Sequence, residues 1–323
     1  MTRPIILFTG QWTDLSLEEL ATRVSAWGYQ GLELCCWGGH FDVHAALDEE
    51  GYFQAKLDYL ARHDLTVPVL GTHRIGQAVC DSIDARHRTI LPERIWGDGR
   101  PEGIQKRAAE EIMDAARSAQ KMGVAVLSGF SGSSVWPSLL GYPTPSSAAV
   151  EDGFRQFRNR WDPILDVCAD CGVRYALEVH PGQVAFDLYS AEMTLAALDG
   201  REEFGFTFDP SHLFWQGIDP VEFLRRFADR IFHVHVKDVA LSLNGRTGLL
   251  GSCLPYGDPR RGWNFRSPGR GGLDWESIIR ALNDIEYAGP LSVEWGDRNM
   301  DREQAAEEAY RFVKRLDFER SRQ

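Results

Sequence analysis

A strict alternation constrains this chain more than any other feature. Eight short β-rich runs, at residues 4–8, 31–36, 67–72, 124–128, 174–179, 204–208, 231–236 and 290–293, are separated by stretches of helical periodicity. Helices are predicted at 17–27, 52–63, 104–122, 153–171, 191–198, 220–228, 275–282 and 304–316. Most of the β-rich runs are continuously apolar, as expected for strands covered on both faces and therefore for a parallel sheet. Ser16, with Glu19 three residues on, reads as a capping box, and Asp219-Pro220 as an N-cap followed by an N1 proline. Eight strand–helix units in sequence predict an α/β chain folded as a single (β/α)8 barrel domain over residues 1–323. A doubly wound open sheet would need a glycine-rich phosphate loop after its first strand, where the chain reads Thr9-Gly10-Gln11-Trp12.

Three connections, 73–103, 130–152 and 238–274, are too long for plain turns, and all three follow strands. In a barrel that places long loops at the C-terminal face, where they would roof a roomy pocket. A hydrophobic share of 43% supplies a large core, while a net charge of −12 with no basic cluster argues against a nucleic-acid partner. The opening apolar run is too short for a signal-peptide core, and no run approaches 18 apolar residues, so neither export nor membrane spanning is expected. The six cysteines, including Cys168-x-x-Cys171, lack further ligands at metal-site spacing and read as reduced thiols of a cytoplasmic protein.

Barrel chemistry is carried by polar side chains at strand C-termini, because these converge on one cavity. Four successive runs end in such residues: Glu178-Val179-His180, Asp209-Pro210-Ser211-His212, His233-Val234-His235-Val236-Lys237-Asp238 and Glu294-Trp295. Side-chain alternation puts Glu178 and His180 on one face, and likewise His233, His235 and Lys237. One inward set is Glu178, Asp209, His235 and Glu294. Three carboxylates and an imidazole are costly to bury without a cation. Oxygen-rich ligands with a single histidine favour Mn²⁺ or Mg²⁺, with Co²⁺ or Zn²⁺ as alternatives.

These segments resemble the metal-site strands of the xylose-isomerase-like TIM barrels, the sugar phosphate isomerase/epimerase superfamily. The resemblance implies that Glu178, Asp209, His235 and Glu294 hold one divalent metal, commonly Mn²⁺, and that His212 points at substrate oxygens. The superfamily includes zinc endonucleases acting at abasic sites. Those need extra histidines, and strand four ends Ser128-Gly129-Phe130-Ser131 without one. Ketose 3-epimerases usually carry Pro-Leu-Asn-Arg after the strand-five glutamate, whereas this chain reads Val179-His180-Pro181-Gly182-Gln183. The Glu-x-His strand instead resembles members acting on 3-keto-glycosides, with isomerases and epimerases of free ketoses or inososes equally close.

Both readings begin with removal of a proton next to a carbonyl. His180 is the expected base, with His212 and Lys237 donating to substrate oxygens and Asp238 orienting one of them. Reprotonation would give an epimer or isomer, and a leaving group β to the carbonyl would instead be expelled. Trp12, Glu33 and His73, ending the first three strands, are candidate substrate contacts. Arg246 and Arg270 in the strand-seven connection are candidate clamps for oxygen-rich ligands. A sugar-binding subunit that depends on a partner, or a homo-oligomer, is the remaining alternative.

Overall fold

A computed structural model describes residues 3–319. Eight parallel strands close into a barrel: β1 (Ile5–Phe8), β2 (Gly31–Cys35), β3 (Thr66–Gly71), β4 (Val126–Gly129), β5 (Arg174–Glu178), β6 (Phe204–Phe208), β7 (Ile231–Val236) and, after the hairpin β8 (Asp238–Leu241) and β9 (Trp263–Arg266), β10 (Leu291–Val293). Around the barrel the order is β1, β10, β7, β6, β5, β4, β3, β2, so β2 faces β6 and β3 faces β7 across the lumen. Helices cover the outside, and the apolar strands bury both of their faces as the sequence requires. No helix among the described residues is long and apolar enough to cross a membrane.

Three local features differ from the sequence expectation. The helix expected from residue 153 spans Ser147–Cys171 and starts on Ser146, whose hydroxyl accepts from the Ala149 amide. Gly153 lies inside it for a packing reason: a Cβ there would come 2.0 Å from Val135 Cγ2. The helix expected from residue 191 is Leu188–Ala197, opened by a reciprocal capping box between Asp187 and Ser190. The connection 238–274 is no plain loop but contains the antiparallel pair β8–β9, in register Asp238 with Arg266 and Leu241 with Trp263.

The lumen carries a polar plug below the mouth. Ser292 and His235 are adjacent across β10 and β7. One oxygen of Glu33, Oε2, accepts from Ser292 Oγ at 2.7 Å, His233 Nε2 at 2.8 Å and His235 Nε2 at 3.0 Å. All four side chains are fully buried.

Candidate metal centre and active site

Glu178 ends β5, Asp209 follows β6 and caps the short helix Pro210–Phe214, His235 lies in β7, and Glu294 follows β10. Each offers one ligand atom, and the four atoms lie within 4.8 Å of one another. The arrangement is oriented from outside. Glu33 accepts the Nε2–H of His235, which turns Nδ1 toward the other candidate ligands, 3.3 Å from Glu294 Oε2 and 3.7 Å from Glu178 Oε2; it is the nitrogen a metal would take in place of a proton. Lys237 Nζ and Gln11 Nε2 both donate to Glu294 Oε1 at 2.8 Å, leaving Oε2 free. Asp209 uses Oδ1 to accept from the Ser211 amide at 2.8 Å, leaving Oδ2. Asp209 Oδ2, His235 Nδ1 and Glu294 Oε2 are all buried without a hydrogen-bond partner. Converging, partnerless acceptors of this kind fit a divalent cation held by three oxygens and one nitrogen.

The polypeptide compensates these charges with its own protons. Burial alone would raise the Glu178 carboxyl, but hydrogen bonds from His212 and His73 and the charge of His235 hold it well below the usual range. Asp209 is likewise lowered against the effect of burial, by the charges of His212 and Lys237. Burial opposes the charge on His235, yet Glu33, Glu294 and Glu178 raise it well above the ordinary histidine value. Lys237 is raised in the same way, mainly by Glu294 and Asp209, and so is an ammonium at any physiological pH. His180 goes the other way. Burial and the neighbouring charge of His212 push it down to about 3, so its imidazole is neutral.

These groups wall one cavity of about 280 Å³. His180 Nδ1 lies 2.5 Å from the Pro181 carbonyl, which assigns the proton to Nδ1 and leaves Nε2 with the free lone pair. Its ring sits 4.0 Å from that of His212, and His212 Nε2 lies 3.5 Å from Lys237 Nζ. His73 approaches from β3, with Nε2 3.1 Å from Glu178 Oε2. A larger groove of about 710 Å³ between the helices Pro220–Arg226 and Trp275–Asp284 contains none of these groups.

The cavity thus gathers Glu178, His180, His212, Lys237, Glu294 and His73, with Asp209 and His235 at its floor. Five other candidate contacts stand elsewhere, and substrate contact is not proposed for them. Trp12 is fully buried against Trp27 and the Arg302 guanidinium. Glu33 lies beneath the mouth in the polar plug. Asp238 orients no catalytic group: it accepts from the amides of Val239, Gly269 and Leu273 and from Trp275 Nε1, and so fastens the strand-seven connection. Arg246 is exposed, and Arg270 pairs with Glu308 on the outer surface. Conversely, Gln11, Trp37 and Arg74 line the cavity and were not singled out from the sequence. Each lies within three residues of a strand C-terminus, which was the available signal.

The chain belongs to the xylose isomerase-like TIM barrel family, whose sequence profile matches residues 21–316. Among curated proteins it is 30% identical over 148 residues to the uncharacterized protein YfiH of Bacillus subtilis, covering 44% of this chain and 47% of that protein. It is 26% identical over 144 residues to an inosose dehydratase of Clostridium botulinum, covering 45% and 47%. These matches span about half the length of the relatives. Among solved structures, the probable 3-DHS dehydratase AsbF of Bacillus anthracis superposes with a TM-score of 0.68 at 17% identity, over 96% of this chain and 98% of that one. The 3-keto-D-glucoside 4-epimerase YcjR of E. coli gives a TM-score of 0.66 at 15% identity, over 97% and 99%. A zinc-bound IolI protein gives 0.63 at 16% identity, over 97% and 96%. At these identities the structural likeness concerns the fold.

Proposed function

We propose that this chain is a divalent-metal-dependent enzyme that removes a proton next to the carbonyl of a keto-sugar or 3-keto-glycoside and expels a group β to that carbonyl. One observation carries the reading: a neutral imidazole, His180, and an ammonium, Lys237, flank His212 on the wall of one cavity above a four-donor metal set. An α,β-elimination needs an unprotonated base and a protonated donor facing the same substrate. His180 Nε2 accepts the α-proton, the electron pair moves into the new carbon–carbon double bond, the β carbon–oxygen bond breaks, and Lys237 protonates the departing oxygen. A bound divalent ion supplies Lewis-acid stabilisation of the negative charge developing on the carbonyl oxygen. Glu294 Oε1 and both Glu178 oxygens are already engaged by Lys237, Gln11, His212 and His73, which disfavours either carboxylate as a second base.

A cavity of about 280 Å³ sits at the low end of the roughly 300–1,000 Å³ typical of ligand sites, so it suits one sugar or cyclitol ring, with any aglycone outside. The relatives named as dehydratases support elimination. Epimerisation of a free ketose or inosose is the second reading, favoured by His73, a second imidazole on the wall of the same cavity. Mn²⁺ as the metal, a cytoplasmic location and one domain over residues 1–323 belong to the same proposal.

The test is an NMR time course in D₂O with 2-keto-myo-inositol and with a 3-keto-glucoside, with and without EDTA. Loss of water or of the glycosidic linkage, abolished by EDTA, is the expected result. EDTA-sensitive deuterium uptake with the carbon–oxygen bonds intact would replace elimination by epimerisation. No change in either substrate would overturn both readings.

A further inference from the structure

A guanidinium taken partly out of water needs an anion or a set of acceptors. The other arginines near the barrel mouth have them: Arg302 pairs with Asp14, Arg94 with Glu111 and Arg266 with Asp297. Arg74 does not. It is half-buried on the wall of the active-site cavity, and its contact among the described residues is the face of Trp37, 5.1 Å from the ring centroid. Burial pushes Arg74 down from its usual value, and the neighbour opposing this is the thiol of Cys35. That thiol is itself pushed up to about 11 by burial, so it is neutral and gives no counter-charge. No ion pair joins Arg74 to the cavity's carboxylates among the described residues: Glu178 is met by His73 and His212, and Glu294 by Lys237 and Gln11. A cation–π contact satisfies none of the five N–H donors. On the same wall Trp37 Nε1 is buried and also lacks an acceptor.

We propose that Arg74 is a specificity-determining residue, and that the substrate carries an oxyanion substituent, a carboxylate or a phosphate, which this guanidinium binds. The topology gives the substrate two ends. Arg74 and Trp37 follow β3 and β2, which face β7 and β6, the strands that bring Lys237, His235 and Asp209. A ring whose carbonyl lies at the four-donor set therefore extends its substituent across the mouth to the β2–β3 side. A planar guanidinium matches a carboxylate or phosphate with two parallel hydrogen bonds. The proposal rests on the reading of this cavity as the substrate site and narrows its substrate to acidic or phosphorylated keto-sugars and keto-cyclitols.

The test compares binding of D-glucose, D-glucuronate and D-glucose 6-phosphate by calorimetry to Mn²⁺-loaded wild type, Arg74→Met and Arg74→Lys. Methionine keeps an apolar stem against Trp37, and thermal melting verifies folding of both variants. At least one anionic probe is expected to bind wild type about tenfold or more tighter than glucose; which one does so distinguishes carboxylate from phosphate. That preference should vanish in Arg74→Met and return in part in Arg74→Lys. Equal binding of all three probes to wild type, absence of binding by either anion, or an anion preference that survives in Arg74→Met would overturn the proposal; the last would point to chelation by the metal. Because no turnover is measured, the outcome is separable from the elimination chemistry. Anion preference without any change in the keto-substrates would sink the mechanism alone, and elimination from a neutral substrate without the preference would sink only this inference.

Discussion

Asp209 and Asp238 are both buried at the mouth of the barrel, just after the neighbouring strands β6 and β7, yet their surroundings are opposite. Asp238 accepts from four donors, two on each oxygen, at 2.8 and 3.3 Å on Oδ1 and at 3.0 and 3.0 Å on Oδ2. The connection passes so close that a Cβ on Gly271 would lie 2.0 Å from Asp238 Oδ1. Asp209 accepts from one backbone amide on Oδ1, and its Oδ2, without a well-directed hydrogen bond, has only His212 Nε2 at 3.2 Å and Lys237 Nζ at 3.7 Å beside it. Glu33 stands between them, with three donors on Oε2 and a buried Oε1 that has none, whereas Glu294 resembles Asp209, with one oxygen hydrogen-bonded and the other not. The contrast between the two aspartates is one of donors: the saturated carboxylate anchors the fold, and the one left facing other acceptors is the candidate ligand.

Asp209→Asn gives the largest expected effect. It keeps the cap on the Pro210–Phe214 helix but replaces the free oxygen, so Mn²⁺ affinity should fall on the order of 10³-fold by calorimetry, with the thermal midpoint of the EDTA-treated protein nearly unchanged. Asp238→Ala should do the reverse. Stranding four donors is expected to cost about 3 kcal/mol in urea unfolding, while metal stoichiometry by elemental analysis stays at the wild-type value.

Glu33→Gln lies between the two. It keeps one acceptor for His233 and His235 but loses the charge that fixes the His235 proton on Nε2, so metal affinity should drop by roughly 10–100-fold. An unchanged affinity would return Glu33 to a purely structural role.

A smaller effect is tied to pH. His180 has a folded value of about 3 against roughly 6.5 in the unfolded chain. Above pH 6.5 both states are neutral there and His180 adds no pH dependence. Between 6.5 and 3 the unfolded chain takes up the proton first, so stability falls as pH drops. His180→Gln should remove that component, giving a thermal midpoint that declines less than wild type between pH 7 and pH 5. The smallest effects belong to Arg246→Ala and Arg270→Ala, exposed and remote from the cavity. Turnover should stay within about twofold, and loss of the Arg270–Glu308 pair should cost under about 1 kcal/mol.

The strand–helix rhythm was legible in the sequence because parallel barrel strands are apolar on both faces, and each expected strand lies within two residues of an observed one. The convergence of Glu178, Asp209, His235 and Glu294 was legible for a related reason, since charges ending such runs have nowhere to go but the lumen. Asp238 and Glu33 were misread because strand ends reveal where a carboxylate starts, not how many donors meet it. The donors to Asp238 come from Gly269, Leu273 and Trp275, more than thirty residues downstream. The β8–β9 hairpin escaped notice because its two four-residue strands are separated by a long irregular loop. Gln11 and Trp37 lie in short segments after their strands and Arg74 in the first turn of the helix His73–Cys80, where no strand periodicity marks the inward direction.

The central claim, that four residues hold one divalent ion, is tested most directly by titrating Mn²⁺ into EDTA-stripped wild type and Glu294→Gln by calorimetry, with elemental analysis of both. The account expects one tight equivalent in wild type and loss of that equivalent in the variant. Failure of wild type to take up the ion, or full uptake by Glu294→Gln, would contradict it.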